Sequence, residues 1–206
     1  MKKILIYGGT FDPVHRGHVN AFESAKALVS PDLSVIIPNK IPPHKERRGL
    51  ASGEDRMNML RLTFGESEDI LYSDYELRRE GKSYSLYTLQ HFCDEFKDSK
   101  LYFIIGSDSI LSFHKWFEYK KILKLCTLVC VSRVSGDRAE LEKAALFLTS
   151  QGGSVLLADS VPFEVSSSQI RMMIRNGGDA ACYLNENVVE YIRRHNLYTE
   201  DDSIDG

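Results

Sequence analysis

The chain has 206 residues, 27% of them charged and 43% hydrophobic, with a formal net charge of −3. That length suits one compact domain, and that balance excludes a disordered or fibrous chain. It also supplies no global attraction to nucleic acid or to an anionic membrane, so neither is expected as a partner.

The apolar start Ile4-Leu5-Ile6-Tyr7 breaks at Gly8-Gly9, far short of a signal-peptide core or of the ~20 residues of a spanning helix. Cys93, Cys126, Cys130 and Cys182 form no CxxC pair, which favours buried or idle thiols in a reducing cytoplasm over a metal site.

In chain order, residues 3–7 read as a strand covered on both faces. A helix starting at about His18 then places His18, Phe22, Ala25 and Val29 on one stripe. A second strand is expected at 33–37, and Ser52 looks like the N-cap of a helix carrying Met57, Leu60 and Phe64. Further strands are expected at 70–72, 101–105, 127–131 and 155–157, with helices at about 84–97, 109–124 and 137–150. After Val165, Ser166-Ser167-Ser168 precedes a helix that stops at Gly177-Gly178, and a last helix spans about 186–195 behind Asn185. The alternation predicts an α/β fold: a Rossmann-like parallel sheet with right-handed crossovers, helices on both faces, and ligands at the carboxyl ends of the strands. The domain 1–206 then divides into a sheet core of about 1–160 and a small helical C-terminal lobe of about 161–200.

The informative segment is Gly8-Gly9-Thr10-Phe11-Asp12-Pro13-Val14-His15-Arg16-Gly17-His18. Paired glycines let the backbone approach an anion, and the following helix start offers unpaired N–H groups and a positive dipole end. Two imidazoles three residues apart can converge on one phosphoryl group. The structural alternative makes the histidines caps or surface groups.

Four basic residues, Lys40, Lys45, Arg47 and Arg48, stand against Glu46 in the next loop, where Lys45 is the candidate for folding over polyphosphate. Ser166 to Arg171 combines hydroxyls and free N–H groups at a helix start with an arginine one turn in, more charge than a cap requires. Asp108, just past a strand, suits either ribose hydroxyls or a helix cap. Trp116, the lone tryptophan, suits either the core or a ligand wall.

The string GGTFDPVHRGH resembles the signature of the nucleotidyltransferase superfamily that carries an (H/T)xGH motif, and its spelling is similar to that of the bacterial nicotinate mononucleotide adenylyltransferase family. Pro42-Pro43-His44-Lys45, Ile105-Gly106-Ser107-Asp108, Trp116, Ser166-Ser167-Ser168-Gln169-Ile170-Arg171 and the closing Tyr191-Ile192 to Leu197-Tyr198 extend the likeness over essentially the whole chain.

The resemblance implies transfer of the adenylyl group of ATP to nicotinate mononucleotide, giving nicotinate adenine dinucleotide and pyrophosphate on the way to NAD. It implies His15, His18, Lys45 and Arg171 as the catalytic groups, and Mg²⁺ arriving with ATP. ATP would lie on Gly8, Gly9, Thr10, Phe11, His18, Gly106, Asp108, Ser167, Ser168 and Arg171. The pyridine nucleotide would meet Thr10, His44, Lys45, Tyr84, Ser85, Thr88, Trp116 and, more weakly, Arg133. Two positions depart from the family's SYTxDTL: Ser85 replaces a threonine and Tyr87 an aspartate. Transfer to nicotinamide mononucleotide or phosphopantetheine, and a non-catalytic nucleotide sensor, remain alternatives at this stage. The sequence is compatible with a monomer or a homo-oligomer.

Overall fold

A computed structural model describes residues 1–40, 50–132, 138–160, 163 and 165–199. The elements run β1 (Lys3–Gly9), α1 (Arg16–Val29), β2 (Leu33–Pro38), α2 (Gly53–Phe64), β3 (Ile70–Tyr72), α3 (Tyr75–Arg78), α4 (Ser85–Glu95), β4 (Lys100–Gly106), α5 (Ser107–Leu111), α6 (Tyr119–Leu125), β5 (Cys126–Val131), α7 (Arg138–Ser150), β6 (Ser154–Ala158), α8 (Ser167–Arg175) and α9 (Glu186–Arg194).

The six strands form one sheet in the order β3-β2-β1-β4-β5-β6, and every pairing is parallel. This is the Rossmann-like α/β architecture expected, with strand order reversing between β1 and β4. β1, β2, β4 and β5 are buried on both sides because each side meets helices, whereas the flanking β3 and β6 are mostly half-buried. Leu5, Tyr7, Tyr102 and Ile104 pack on one face with Phe22 of α1, Leu60 of α2, Ile170 of α8 and Ile192 of α9. Ile4, Ile6, Phe103 and Ile105 pack on the other with Leu89 and Phe92 of α4, Ile122 of α6 and Leu148 of α7. The two-residue alternation along each strand divides the core between the two layers. The C-terminal helices therefore share the core of one sheet face.

Two expectations change. α1 starts at Arg16, not near His18, because His15 supplies the cap. The single helix expected at 109–124 is broken into α5, a 3₁₀ turn at Phe113–Lys115 and α6, since Trp116 is extended (φ −70°, ψ 145°) and Glu118 is left-handed (φ 55°). Ser52 caps α2 as expected, accepting the Asp55 N–H.

Candidate active site

β1 ends on Gly8-Gly9, still paired with Ile37 and Pro38 of β2, and the chain then turns from Thr10 toward α1. The side chain of His15 accepts the Gly17 N–H through Nδ1 at 3.1 Å, and Nδ1 of His18 accepts the His15 N–H at 3.1 Å. Each ring nitrogen that accepts such a bond is unprotonated, so each neutral ring carries its proton on Nε2. The rings lie 3.8 Å apart, tilted by 33°. Capping and phosphate binding thus coexist as options: Nδ1 fixes the tautomer, and Nε2–H is the donor each ring can offer. Phe163 stacks on His15, and a Cβ on Gly17 would sit 2.7 Å from the Phe163 ring, so glycine lets that ring close on the helix start.

The N-terminus of α8 approaches the same turn. Ser166 caps α8 reciprocally with Gln169. The Ser167 hydroxyl donates to the Pro13 carbonyl at 3.0 Å. Arg171 donates from Nη1 to the Asp12 carbonyl at 2.7 Å and from Nη2 to Ser168 Oγ at 3.3 Å.

Beneath the turn lies a buried charged network. Arg56 of α2, 3% exposed, donates to the carbonyls of Thr10 (2.8 Å), Asn39 (2.7 Å) and Ala51 (3.2 Å). Asp12 is fully buried; burial raises its carboxyl above the usual range, opposed by the Tyr198 hydroxyl, the Ala51 N–H and the guanidinium groups of Arg171 and Arg56. Burial lowers the Arg56 guanidinium, which Asp12 opposes.

Beside the turn, where strand order reverses, a cleft of about 600 Å³ opens between the ends of β1 and β4. Gly8, Gly9, Thr10, Gly106, Tyr84 and Trp116 are among the residues that line it. Trp116 rests on buried Phe113, with centroids 4.9 Å apart. The N-terminus of α4 at Tyr84 and Ser85 carries no side-chain cap bond. Glu76 also borders the cleft, accepts the Thr88 hydroxyl at 2.6 Å and keeps Oε2 buried without a hydrogen bond. Burial raises the Glu76 carboxyl, opposed by the hydroxyls of Thr88 and Ser83 and by Arg79.

Residues 6–173 match the model of the cytidylyltransferase-like family. A protein of Geobacter metallireducens named probable nicotinate-nucleotide adenylyltransferase is 34% identical over 95% of this chain and 98% of its own. The chain belongs to the nicotinate-nucleotide adenylyltransferase family. A member from Clostridium botulinum is likewise 34% identical, over 98% of this chain and all of its own. In fold, the chain is similar to Plasmodium falciparum nicotinic acid mononucleotide adenylyltransferase complexed with NaAD, at TM-score 0.78 and 22% identity, covering 98% of this chain and 99% of that one.

In this adenylyltransferase, the first turn brings together Gly8, Gly9, Thr10, His15 and His18, and the start of α8 adds Ser167, Ser168 and Arg171. Phe11 is buried below the turn in a left-handed conformation (φ 51°), its ring edge-on to Tyr7 and His18. Asp108 is exposed in the first turn of α5, whose cap is Gly106; this sets aside the capping alternative for Asp108. Thr88 is 1% exposed and meets the cleft only through Glu76. Tyr87, the departure from the family aspartate, lies under the Arg79 guanidinium at 4.4 Å and 6.0 Å from Phe117. His44, Lys45 and Arg133 lie outside the described residues.

Sequence reasoning gave no role to Arg56, Glu76 and Phe117, and read Asp12 and Tyr198 only as letters of family motifs. Nothing local distinguishes Arg56 or Glu76 from solvated helix residues. Asp12 and Tyr198, in contrast, sat in recognised strings whose pairing across 186 residues only the fold displays.

Proposed function

We propose that this chain transfers the adenylyl group of ATP to the 5′-phosphate of nicotinate mononucleotide, forming nicotinate adenine dinucleotide and pyrophosphate in NAD biosynthesis. Membership of the family carries the reaction. The single structural observation that supports its mechanism is the pair of Nδ1-bonded imidazoles at the start of α1, which follows the turn that Arg171 grips at the Asp12 carbonyl.

The acceptor phosphate attacks the α-phosphorus in line, so positioning and charge stabilisation do the catalysis without a protein nucleophile. His15 and His18 donate from Nε2 to the α-phosphoryl oxygens as negative charge grows there. Arg171, with Lys45, neutralises the leaving pyrophosphate. Gly8, Gly9 and Thr10 let the nucleotide backbone approach, with Phe11 beneath them; Ser167 and Ser168 add donors to the phosphates, and Gly106 and Asp108 receive the ribose.

Among the described residues no group of three or more His, Cys, Asp or Glu could hold a metal ion, so Mg²⁺ would be carried by ATP itself and would supply charge neutralisation on its phosphates. Among the described residues no helix is long and apolar enough to cross a membrane. Cys93, Cys126, Cys130 and Cys182 form no disulfide, which suits a reducing, cytoplasmic setting.

The pyridine ring stacks on Trp116, and its carboxylate meets the uncapped start of α4 at Tyr84 and Ser85, with Thr88 supporting that start. His44 and Arg133 complete the acceptor side. An amide would bring its own N–H₂ to face these donors, and an unmatched buried polar group costs about 1 to 3 kcal/mol. The test is pyrophosphate release at one ATP concentration with nicotinate mononucleotide, nicotinamide mononucleotide and phosphopantetheine. The acid should exceed the amide in kcat/KM by about tenfold or more, and Trp116→Ala should weaken both together. Equal values for acid and amide would remove the carboxylate reading, and release with none of the three would favour the sensor.

A further inference from the structure

The two carboxylate oxygens of Asp12 play different parts. Oδ1 is doubly engaged: it accepts the Ala51 N–H at 3.0 Å and the Tyr198 hydroxyl at 2.8 Å. Oδ2 makes no hydrogen bond and lies 3.5 Å from Nη1 of Arg171, which donates instead to the carbonyl of the same aspartate. Arg171 is therefore ion-paired with this internal anion at long range, without a hydrogen bond to its carboxylate.

The far end of the chain maintains this state. Tyr198 reaches Asp12 from a left-handed backbone (φ 65°), a costly conformation for a non-glycine residue that persists where tertiary contacts over-determine it. Its segment is fastened upstream as well: the Tyr191 hydroxyl donates to Asp55 at 2.9 Å and accepts from Asn58 at 3.1 Å, joining α9 to α2. The ring of Tyr198 packs on the core of that sheet face.

We propose that Tyr198 is a positioning residue for Arg171, acting through Asp12. Its hydroxyl occupies Oδ1 and disperses the carboxylate charge there, so Arg171 stays available to phosphate oxygens. Without that donor the carboxylate draws Nη1 across the 3.5 Å gap into a closed ion pair, and internal anion and ligand compete for one guanidinium. Arg56 holds the carbonyls of Thr10, Asn39 and Ala51 through Nε and Nη1 and acts on Asp12 as a nearby charge, without a hydrogen bond to it, so it does not stand in for the hydroxyl. The proposal rests on Arg171 being a phosphate contact.

The experiment measures binding of inorganic pyrophosphate by titration calorimetry to wild type, Tyr198→Phe, Arg171→Ala and the double variant, with thermal melts to confirm folding. Tyr198→Phe should weaken binding about three- to tenfold, the size of one hydrogen bond. In the Arg171→Ala background the same change should alter binding by less than about twofold, the signature of action through one partner. No loss in Tyr198→Phe, or equal losses in both backgrounds, overturns the proposal. An Arg171→Ala variant that binds pyrophosphate like wild type instead removes the phosphate contact, and the proposal with it. Asp12→Asn gives an independent reading if Tyr198→Phe fails to fold: it keeps an acceptor for Tyr198 and removes the competing charge. It should bind pyrophosphate at least as tightly as wild type, and weakened binding contradicts the competition.

Discussion

His15 and His18 hold each other's helix turn. Nδ1 of His18 accepts the His15 N–H, the His15 ring in turn accepts the Gly17 N–H, and the two rings lie 3.8 Å apart. In the proposed mechanism, one geometry serves both stability and chemistry. Capping commits Nδ1 as an acceptor, and that commitment orients Nε2–H as a donor before substrate arrives, which spares the reorganisation that a free imidazole would undergo.

Arg171 uses two separate nitrogens, one toward the Asp12 carbonyl and one toward Ser168. A lysine keeps the charge but has no planar fork to make both contacts while facing a phosphate. Arg171→Lys should therefore lose about tenfold or more in kcat/KM for ATP. Near-wild-type kinetics would reduce Arg171 to a diffuse electrostatic role.

Arg56 joins the phosphate turn, the end of β2 and the segment before α2 through three backbone carbonyls. Arg56→Met conserves length and removes every donor. Urea unfolding should show a loss of roughly 2 to 4 kcal/mol, given the strength of charge-assisted bonds and the carbonyls left unpaired. A change within about 0.5 kcal/mol, as for an ordinary surface site, would contradict that role.

Glu76 gives a pH signature. Its folded carboxyl titrates above its ordinary value of 4.5 because burial disfavours the charged form. Between that value and the raised folded one, the folded state holds more protons than the unfolded state, so stability falls as pH rises through the window. Glu76→Gln removes the titration. The variant's stability relative to wild type should therefore be greatest at neutral pH and shrink as pH falls toward 4.5. Melting temperatures of both proteins across pH 4.5 to 8 check this, and a difference that does not change with pH contradicts it.

How much was legible varied with the range of the forces involved. Four strands could be read clearly because a strand buried on both faces writes itself as a continuous apolar run, as at 101–105 and 127–131; the flanking, half-buried strands at 70–72 and 155–157 leave a weaker trace. The break at Trp116 could not, since residues 109–124 keep an acceptable helical pattern and the chain leaves the helix there to place Trp116 on the cleft. The four residues of α3 are too few to show any period. In the site, His15, His18 and Arg171 were visible as motifs whose residue types already state their chemistry. Arg56 and Glu76 were not, because a buried ionisable group is known by its partners, and those lie at Thr10, Asn39 and Thr88 in other elements.

The most direct measurement is kcat for pyrophosphate release from ATP and nicotinate mononucleotide, at saturation with both, in wild type and His18→Asn. Asparagine places an oxygen where Nδ1 stands, so the His15 N–H keeps its acceptor and the melting temperature should stay near wild type. It places nothing where Nε2–H stands. If His18 stabilises the transition state through that donor, kcat should fall by about 10² to 10³ with a much smaller change in ATP affinity. A variant that turns over at the wild-type rate once saturated, with only weakened ATP binding, would contradict the assignment of His18 to the chemical step.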